Sequence, residues 1–275
     1  MMELPEAAVI TEQVNATLKG KRIESVIANQ SPHKFAWFYA DPDNYDALLR
    51  GHTIDGAISH GGMVEISAGP ALIVLAEGLN LRYYPEGEKL PKKHQLLLEF
   101  DDGSSLVGSV QMYGAAWAFP QGQFDNWYYL NSKQRPSPLT DAFDYAHFES
   151  LLEGQKLESL SAKAFLATDQ RIPGLGNGVL QDILWAARIH PKRKMSTVSN
   201  EELHTLFVAV KSVLKRMTSL GGRDTEHDLF GTPGRYRTVL SRNTVDKPCP
   251  ECGTIIQKAA FLGGSIYFCE GCQQL

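Results

Sequence analysis

The chain has 275 residues, a hydrophobic fraction of 43% and a formal net charge of −4. This length suits two domains and this apolar fraction suits a buried core, while no run of 18 apolar residues is present to suggest a membrane span. The opening Met-Met-Glu-Leu-Pro-Glu lacks a basic region ahead of an apolar stretch, so no export signal is expected and the cytoplasm is the expected compartment. Charge is unevenly spread. Residues 1–150 carry 11 Lys+Arg against 19 Asp+Glu, and residues 151–275 carry 16 against 12. A basic face is therefore expected in the second half, if anywhere.

In chain order, Ala7 to Leu18 predicts a helix, with Val9, Ile10, Val14 and Leu18 at helical spacing and Gly20 after it. From Arg22 to about Leu130 short apolar runs alternate with Gly, Asp and Pro. The expected strands are 23–28, 53–59, 63–67, 71–76, 94–100 and 105–110, with Asp101-Asp102-Gly103 as a hairpin turn. Strands this short and regular predict a β-sandwich or barrel. Residues 131–142, polar and proline-bearing, are expected to link it to a second, helical half. That half predicts helices at 144–152, 161–168, 178–187 and 200–219, the last opened by Ser199 and closed by Gly221-Gly222. Residues 221–241 form a long unpatterned segment, a candidate for function or for disorder.

Two stretches carry chemistry. Gly174-Leu175-Gly176-Asn177 precedes a helix, where glycines let backbone N–H groups approach an anion; a plain capping turn explains the same residues. Arg188, Lys192, Arg193 and Lys194 come after that helix, as a phosphate-facing cluster or a solvated surface. All four cysteines lie near the C-terminus: Cys249, Cys252, Cys269 and Cys272. Two C-x-x-C turns separated by a hairpin-length spacer give a tetrahedral S₄ shell suited to Zn²⁺. Four thiolates close that shell, so the zinc is expected to be structural.

The chain resembles the formamidopyrimidine-DNA glycosylase/endonuclease VIII family. The resemblance rests on Glu3-Leu4-Pro5-Glu6, on Leu18-Lys19-Gly20-Lys21-Arg22-Ile23, on Asp169-Gln170 with Ile172-Pro173-Gly174-Leu175-Gly176-Asn177, and on the cysteine spacing. It implies an α+β, multidomain fold. An N-terminal β-sandwich with flanking helices (1–130) and the linker (131–142) precede a helix-two-turn-helix domain (143–241) and a zinc-finger hairpin (242–275). It implies damaged or abasic double-stranded DNA as partner, a monomer, and base-excision repair by DNA N-glycosylase and AP-lyase chemistry.

In that chemistry a terminal proline amine attacks the sugar C1′, an adjacent carboxylic acid protonates the ring oxygen, and a lysine, an arginine and an asparagine hold phosphates. The implied acid is Glu3, the implied asparagine is Asn177 beside Gly176, and Tyr113 stands near the wedge that fills the hole left by a flipped base. Arg188 is a further expected DNA contact. The proline position holds Met2, the lysine falls in His60-Gly61-Gly62-Met63, and the arginine position holds Gly264. Removal of Met1 would give Met2 a primary amine that can also form a Schiff base. An initiator methionine is usually kept before a large residue, so Met1 is expected to stay, which leaves the terminal amine one residue, about 3.8 Å, out of place. The changed residues support two other readings: a lesion reader without chemistry, or a scaffold turned to protein or RNA.

Overall fold

The computed structural model describes residues 2–275. Helix α1 (Leu4–Thr17) begins three residues before the predicted start. Glu3 is its N-cap, and Pro5 sits in the first turn, where a missing N–H is tolerated. There follow β1 (Ile23–Ala28), β2 (Ala36–Trp37), α2 (Tyr45–Leu49), β3 (Ile54–His60), β4 (Met63–Ala68), β5 (Ala71–Ala76), β6 (Leu79–Tyr84), β7 (Leu96–Phe100), β8 (Ser105–Val110) and β9 (Gly114–Pro120). They form two sheets, ordered β1-β7-β8-β6 and β2-β9-β5-β4-β3.

The core lies between the sheets. Val26, Leu81, Leu98 and Leu106 of the first meet Val64, Ile66, Ile73 and Leu75 of the second, and Ile10, Val14 and Leu18 of α1 join the same cluster. The outer face of the second sheet is covered too. Leu72, Val74, Trp117 and Phe119 pack with Phe124 and Tyr129. This is why β5 is buried along its whole length and reads Ala-Leu-Ile-Val-Leu-Ala without alternation.

Tyr129 belongs to α3 (Trp127–Gln134), so residues 131–134, expected in the linker, are helical instead. The cause is local: Asn126 caps the helix by accepting from Tyr129 N at 3.2 Å, and the tyrosine anchors it on the sheet. Strands β2, β6 and β9 were not expected. Strand β9 reads Gly-Ala-Ala-Trp, poor in branched residues, and opens on a glycine whose Cβ would stand 2.9 Å from the backbone N of Leu79.

The second core is helical, built from α4 (Tyr145–Ser150), α5 (Ala162–Ala167), α6 (Leu180–Ala186) and α7 (Asn200–Ser219). Phe148, Phe165, Ile183, Leu206 and Leu214 are central to it, and Leu4 of α1 reaches into it from the first domain. Helix α7 has the predicted bounds, set by a Ser199/Glu202 capping box. The hairpin β10 (Gln257–Phe261) and β11 (Gly264–Phe268) closes the chain through the turn Leu262-Gly263, where both residues have positive φ.

The segment 221–241 has no helix or strand, yet it is tied to both domains. Leu229 is buried in the first core and Tyr236 in the second. Gln13 brackets it, donating to Asp228 Oδ2 at 2.9 Å and accepting from Leu229 N at 3.0 Å. It is an ordered strap across the two domains.

Candidate active site and nucleic-acid interface

The domains meet at a backbone-to-backbone contact. Leu4 N donates to Gly174 O at 2.8 Å. A Cβ on Gly174 would lie 2.1 Å from Gly62 N, and one on Gly61 would lie 2.7 Å from the Pro173 carbonyl. The β3–β4 turn and the Pro173-Gly174 turn therefore interlock with no room for side chains. At position 62, where the resemblance places the lysine, a Cβ would stand 3.2 Å from Gly174 Cα, a tight fit.

Glu3 sits beside this contact and is buried. Its Oε1 accepts from Gly178 N and its Oε2 from Val179 N, both at 2.8 Å. The glycines of the Gly174–Gly178 stretch make this possible. A Cβ on Gly176 would stand 2.7 Å from the Glu3 carboxylate, and one on Gly178 only 1.7 Å from Arg223 Nη1. The glycine-rich turn is thus a cradle for a carboxylate of the chain itself. It does not lead straight into the helix as expected, since α6 starts only at Leu180.

Arg223 completes the cluster. It donates from Nη2 to Glu6 Oε2 at 2.8 Å and from Nε to Glu6 Oε1 at 2.9 Å, and its Nη1 lies 3.5 Å from Glu3 Oε2. Burial pushes the Glu3 carboxyl up, and neighbouring Glu6 adds to the rise against the pull of Arg223 and the two N–H groups. Burial acts on Glu6 too, but its closer bonds to Arg223 hold it below the usual range. Two neighbouring acids are thereby set apart, with the proton favoured on Glu3.

A cavity of about 390 Å³ opens on this cluster, lined by Met2, Glu3, Glu77, Tyr113, Tyr128 and Asn177 among others. Met2 lines it while packing into the first hydrophobic core. Glu77 has a positive φ of 60° and bonds Tyr128; burial raises both groups. Tyr113 lies with its ring 5.9 Å from Trp37, and its neighbour Met112 is exposed.

Asn177 donates to Ser265 O at 2.9 Å, which ties the turn to the cysteine hairpin. Arg188 is not among these residues. Beyond the C-terminal end of α6 it ion-pairs with Glu251 and covers the Trp185 ring. His60 lies 3.4 Å from Glu65 Oε2, where Tyr129 (2.5 Å) and Lys133 (3.1 Å) also converge. Burial alone would raise Glu65; these bonds bring it down to about 2.

The four cysteine sulfurs all lie within 4.8 Å of one another. Cys252–Cys269 is 3.3 Å and Cys249–Cys272 is 3.8 Å. A disulfide needs about 2.05 Å, whereas a tetrahedron with ~2.3 Å metal–sulfur bonds has edges of about 3.8 Å. The donor set fits a metal ion.

Sequence reading missed Arg223, Glu77 and Tyr128. Arg223 carried one usable signal, its place directly after Gly221-Gly222. The other two are placed only by the fold.

Comparisons with known proteins agree on one family. Residues 1–116 match the formamidopyrimidine-DNA glycosylase N-terminal domain, and residues 135–228 match the formamidopyrimidine-DNA glycosylase H2TH domain. Formamidopyrimidine-DNA glycosylases of Listeria monocytogenes and Wolbachia pipientis are 26% and 28% identical to the chain. The alignments cover 100% of both chains in the first case, and 99% of this chain and 100% of the relative in the second. Among solved structures, a Lactococcus lactis Fpg in complex with abasic-site DNA superposes with a TM-score of 0.85 at 23% identity, covering 99% of this chain and 100% of that one. A MutM complex with carbocyclic 8-oxo-G DNA gives 0.84 at 24%, with the same coverage. At this identity the structures establish the shared fold. Among the described residues no helix is long and apolar enough to cross a membrane.

Proposed function

The chain belongs to the formamidopyrimidine-DNA glycosylase family, and from that premise we propose that it binds damaged duplex DNA as a monomer and removes the damaged base. The duplex lies between the β-sandwich and the helical domain, with the target base turned out into the 390 Å³ cavity. The observation that carries this reading is Glu3. It is a buried carboxyl that burial shifts upward, held by two backbone N–H groups and opening on a cavity large enough for a base. Such a group suits general-acid delivery to a sugar oxygen. Met2 beside it supplies the nucleophile as a primary amine once Met1 is removed. A terminal amine has a pKa near 8 against about 10.4 for lysine, so more of it is neutral at pH 7. Tyr113 and Met112 fill the gap left by the base, and Asn177 faces a backbone phosphate.

Zn²⁺ is the proposed occupant of the four-cysteine site, where it would fix the hairpin against α6 and take no part in bond making. Thiolate ligands need a reducing compartment, which makes the cytoplasm the proposed location.

One observation favours a second reading, a lesion reader without chemistry: the Met2 side chain is committed to the hydrophobic core. Borohydride trapping on a duplex with one abasic site, with binding measured in parallel, separates the two. A covalent adduct mapped to the Met2 amine is expected. Tight binding with no adduct would establish the reader, and absence of both would remove DNA as the partner.

A further inference from the structure

Helix α6 closes on a residue that strains the turn. Arg188 has a φ of 61°, in the left-handed region that favours glycine. The turn itself is an ordinary helix end: Arg188 N donates to Trp185 O at 3.1 Å and Ile189 N to Leu184 O at 3.0 Å. A glycine would make the same turn without strain. An arginine held there calls for a use of its side chain.

That side chain reaches the cysteines. Its guanidinium ion-pairs with Glu251, which lies between Cys249 and Cys252 in the chain, and bonds the Cys272 sulfur. It also covers the ring of Trp185 at 5.5 Å. Trp185 in turn packs against the cysteine cluster. Its Nε1 is buried with no oxygen or nitrogen acceptor, and what it meets is the Cys249 sulfur. One cysteine of each C-x-x-C turn therefore receives an N–H from the end of α6. The remaining donors are internal to the module: the Glu251 and Cys252 backbone on Cys249, Thr254 on Cys252, and the Gly271 and Cys272 backbone on Cys269.

Four thiolates around one divalent cation leave the centre negatively charged. N–H groups bonded to sulfur, one of them cationic, draw density away from it; the ligand stays a thiolate but attacks electrophiles more slowly. We propose that Arg188 and Trp185 guard the metal site: their N–H groups bond two of its sulfurs, make those thiolates less reactive and slow the loss of zinc. The left-handed turn aims the guanidinium at Cys272. This rests on the zinc reading of the four-cysteine site.

The test uses the full chain as purified, with its zinc content measured first and about one ion per chain expected. Iodoacetamide is then added; a thiolate sulfur takes its carboxamidomethyl group and iodide leaves. Released zinc is followed with a chromogenic reporter, and the alkylated cysteines are mapped by mass spectrometry at limiting reagent. Arg188→Gly and Trp185→Phe are each expected to release zinc several-fold faster than the wild type. The gain in alkylation is expected on Cys272 for Arg188→Gly and on Cys249 for Trp185→Phe. Wild-type release rates in both variants would overturn the proposal. So would a gain spread evenly over the four cysteines, the mark of a loosened module. An Arg188→Gly variant that keeps the wild-type release rate but loses about 0.9 from the salt slope of duplex binding would make Arg188 a phosphate contact instead. A purified chain without zinc removes the zinc reading, and this assignment with it, before any alkylation rate is read.

Discussion

Glu3, Glu6 and Arg223 form one buried, hydrogen-bonded cluster of ionisable groups. Removing one member of such a cluster strands the others. Glu3→Gln keeps the shape but loses the acid. It is expected to reduce adduct formation on abasic DNA by about 10²–10⁴-fold while binding changes little. Gly178→Ala attacks the cluster through space alone, since the new methyl would overlap the Arg223 guanidinium. Chemical denaturation is expected to show a loss of about 3 kcal/mol or more, the scale of a broken buried ion pair. The sequence carried the acidic half of this site openly, because Glu3 and Glu6 stand in a short motif at the chain start. Arg223 lies 217 residues from Glu6, in a segment without periodicity, and only the fold brings them together.

Among the elements, α3 and β4 share a polar contact inside an otherwise apolar layer. Glu65 on β4 gathers His60, Tyr129 and Lys133. Its carboxyl is held at about 2, below the ordinary unfolded value near 4.3. The stabilisation is therefore present above pH ~4.3 and disappears as pH falls toward 2; at full strength it is about 2–3 kcal/mol. Thermal melts between pH 5 and pH 2.5 are expected to fall more steeply for the wild type than for Glu65→Gln, which starts lower. The elements most readable from sequence were those with a cap or a short apolar run bounded by turn residues, such as α7 with Ser199 and Glu202 and the strands β1, β5 and β8. Those missed had another cause for their composition. Strand β9 opens on a glycine that β6 approaches closely, and α3 looked like a linker because its anchoring side is one tyrosine and a salt link.

At the scale of the whole molecule, the chain is two main cores, a four-cysteine hairpin and a strap. The hairpin rests on α6 and the turn before it through Asn177, Gln181 and Tyr267, and the buried cluster around its cysteines is small: Leu240, Ile256, Cys249 and Cys269. Stripping the metal with a chelator is expected to abolish DNA binding and hydrogen-exchange protection in β10 and β11. The β-sandwich, whose core is independent of the cysteines, should keep its protection. The cysteine spacing was legible from sequence because metal geometry demands it. The strap was not, because its burial depends on single residues, Leu229 and Tyr236, lodged in different cores.

The interlocked turns at Gly61-Gly62 and Pro173-Gly174 have a mechanical consequence. Backbones this close at the waist of the molecule, with Leu4 bonded across them, leave no hinge there. A waist that stays closed on binding leaves the work of fitting to the duplex. Bending a duplex of 20–30 base pairs costs roughly 1–6 kcal/mol, and a site that has lost its base is softer. Duplexes should therefore rank by pliability, a single-nucleotide gap or abasic site binding at least tenfold tighter than an intact helix of the same sequence. Hydrogen exchange at residues 61, 62 and 174 should be the same with and without DNA. A waist with no room for a side chain makes damage detectable as softness before any base is read.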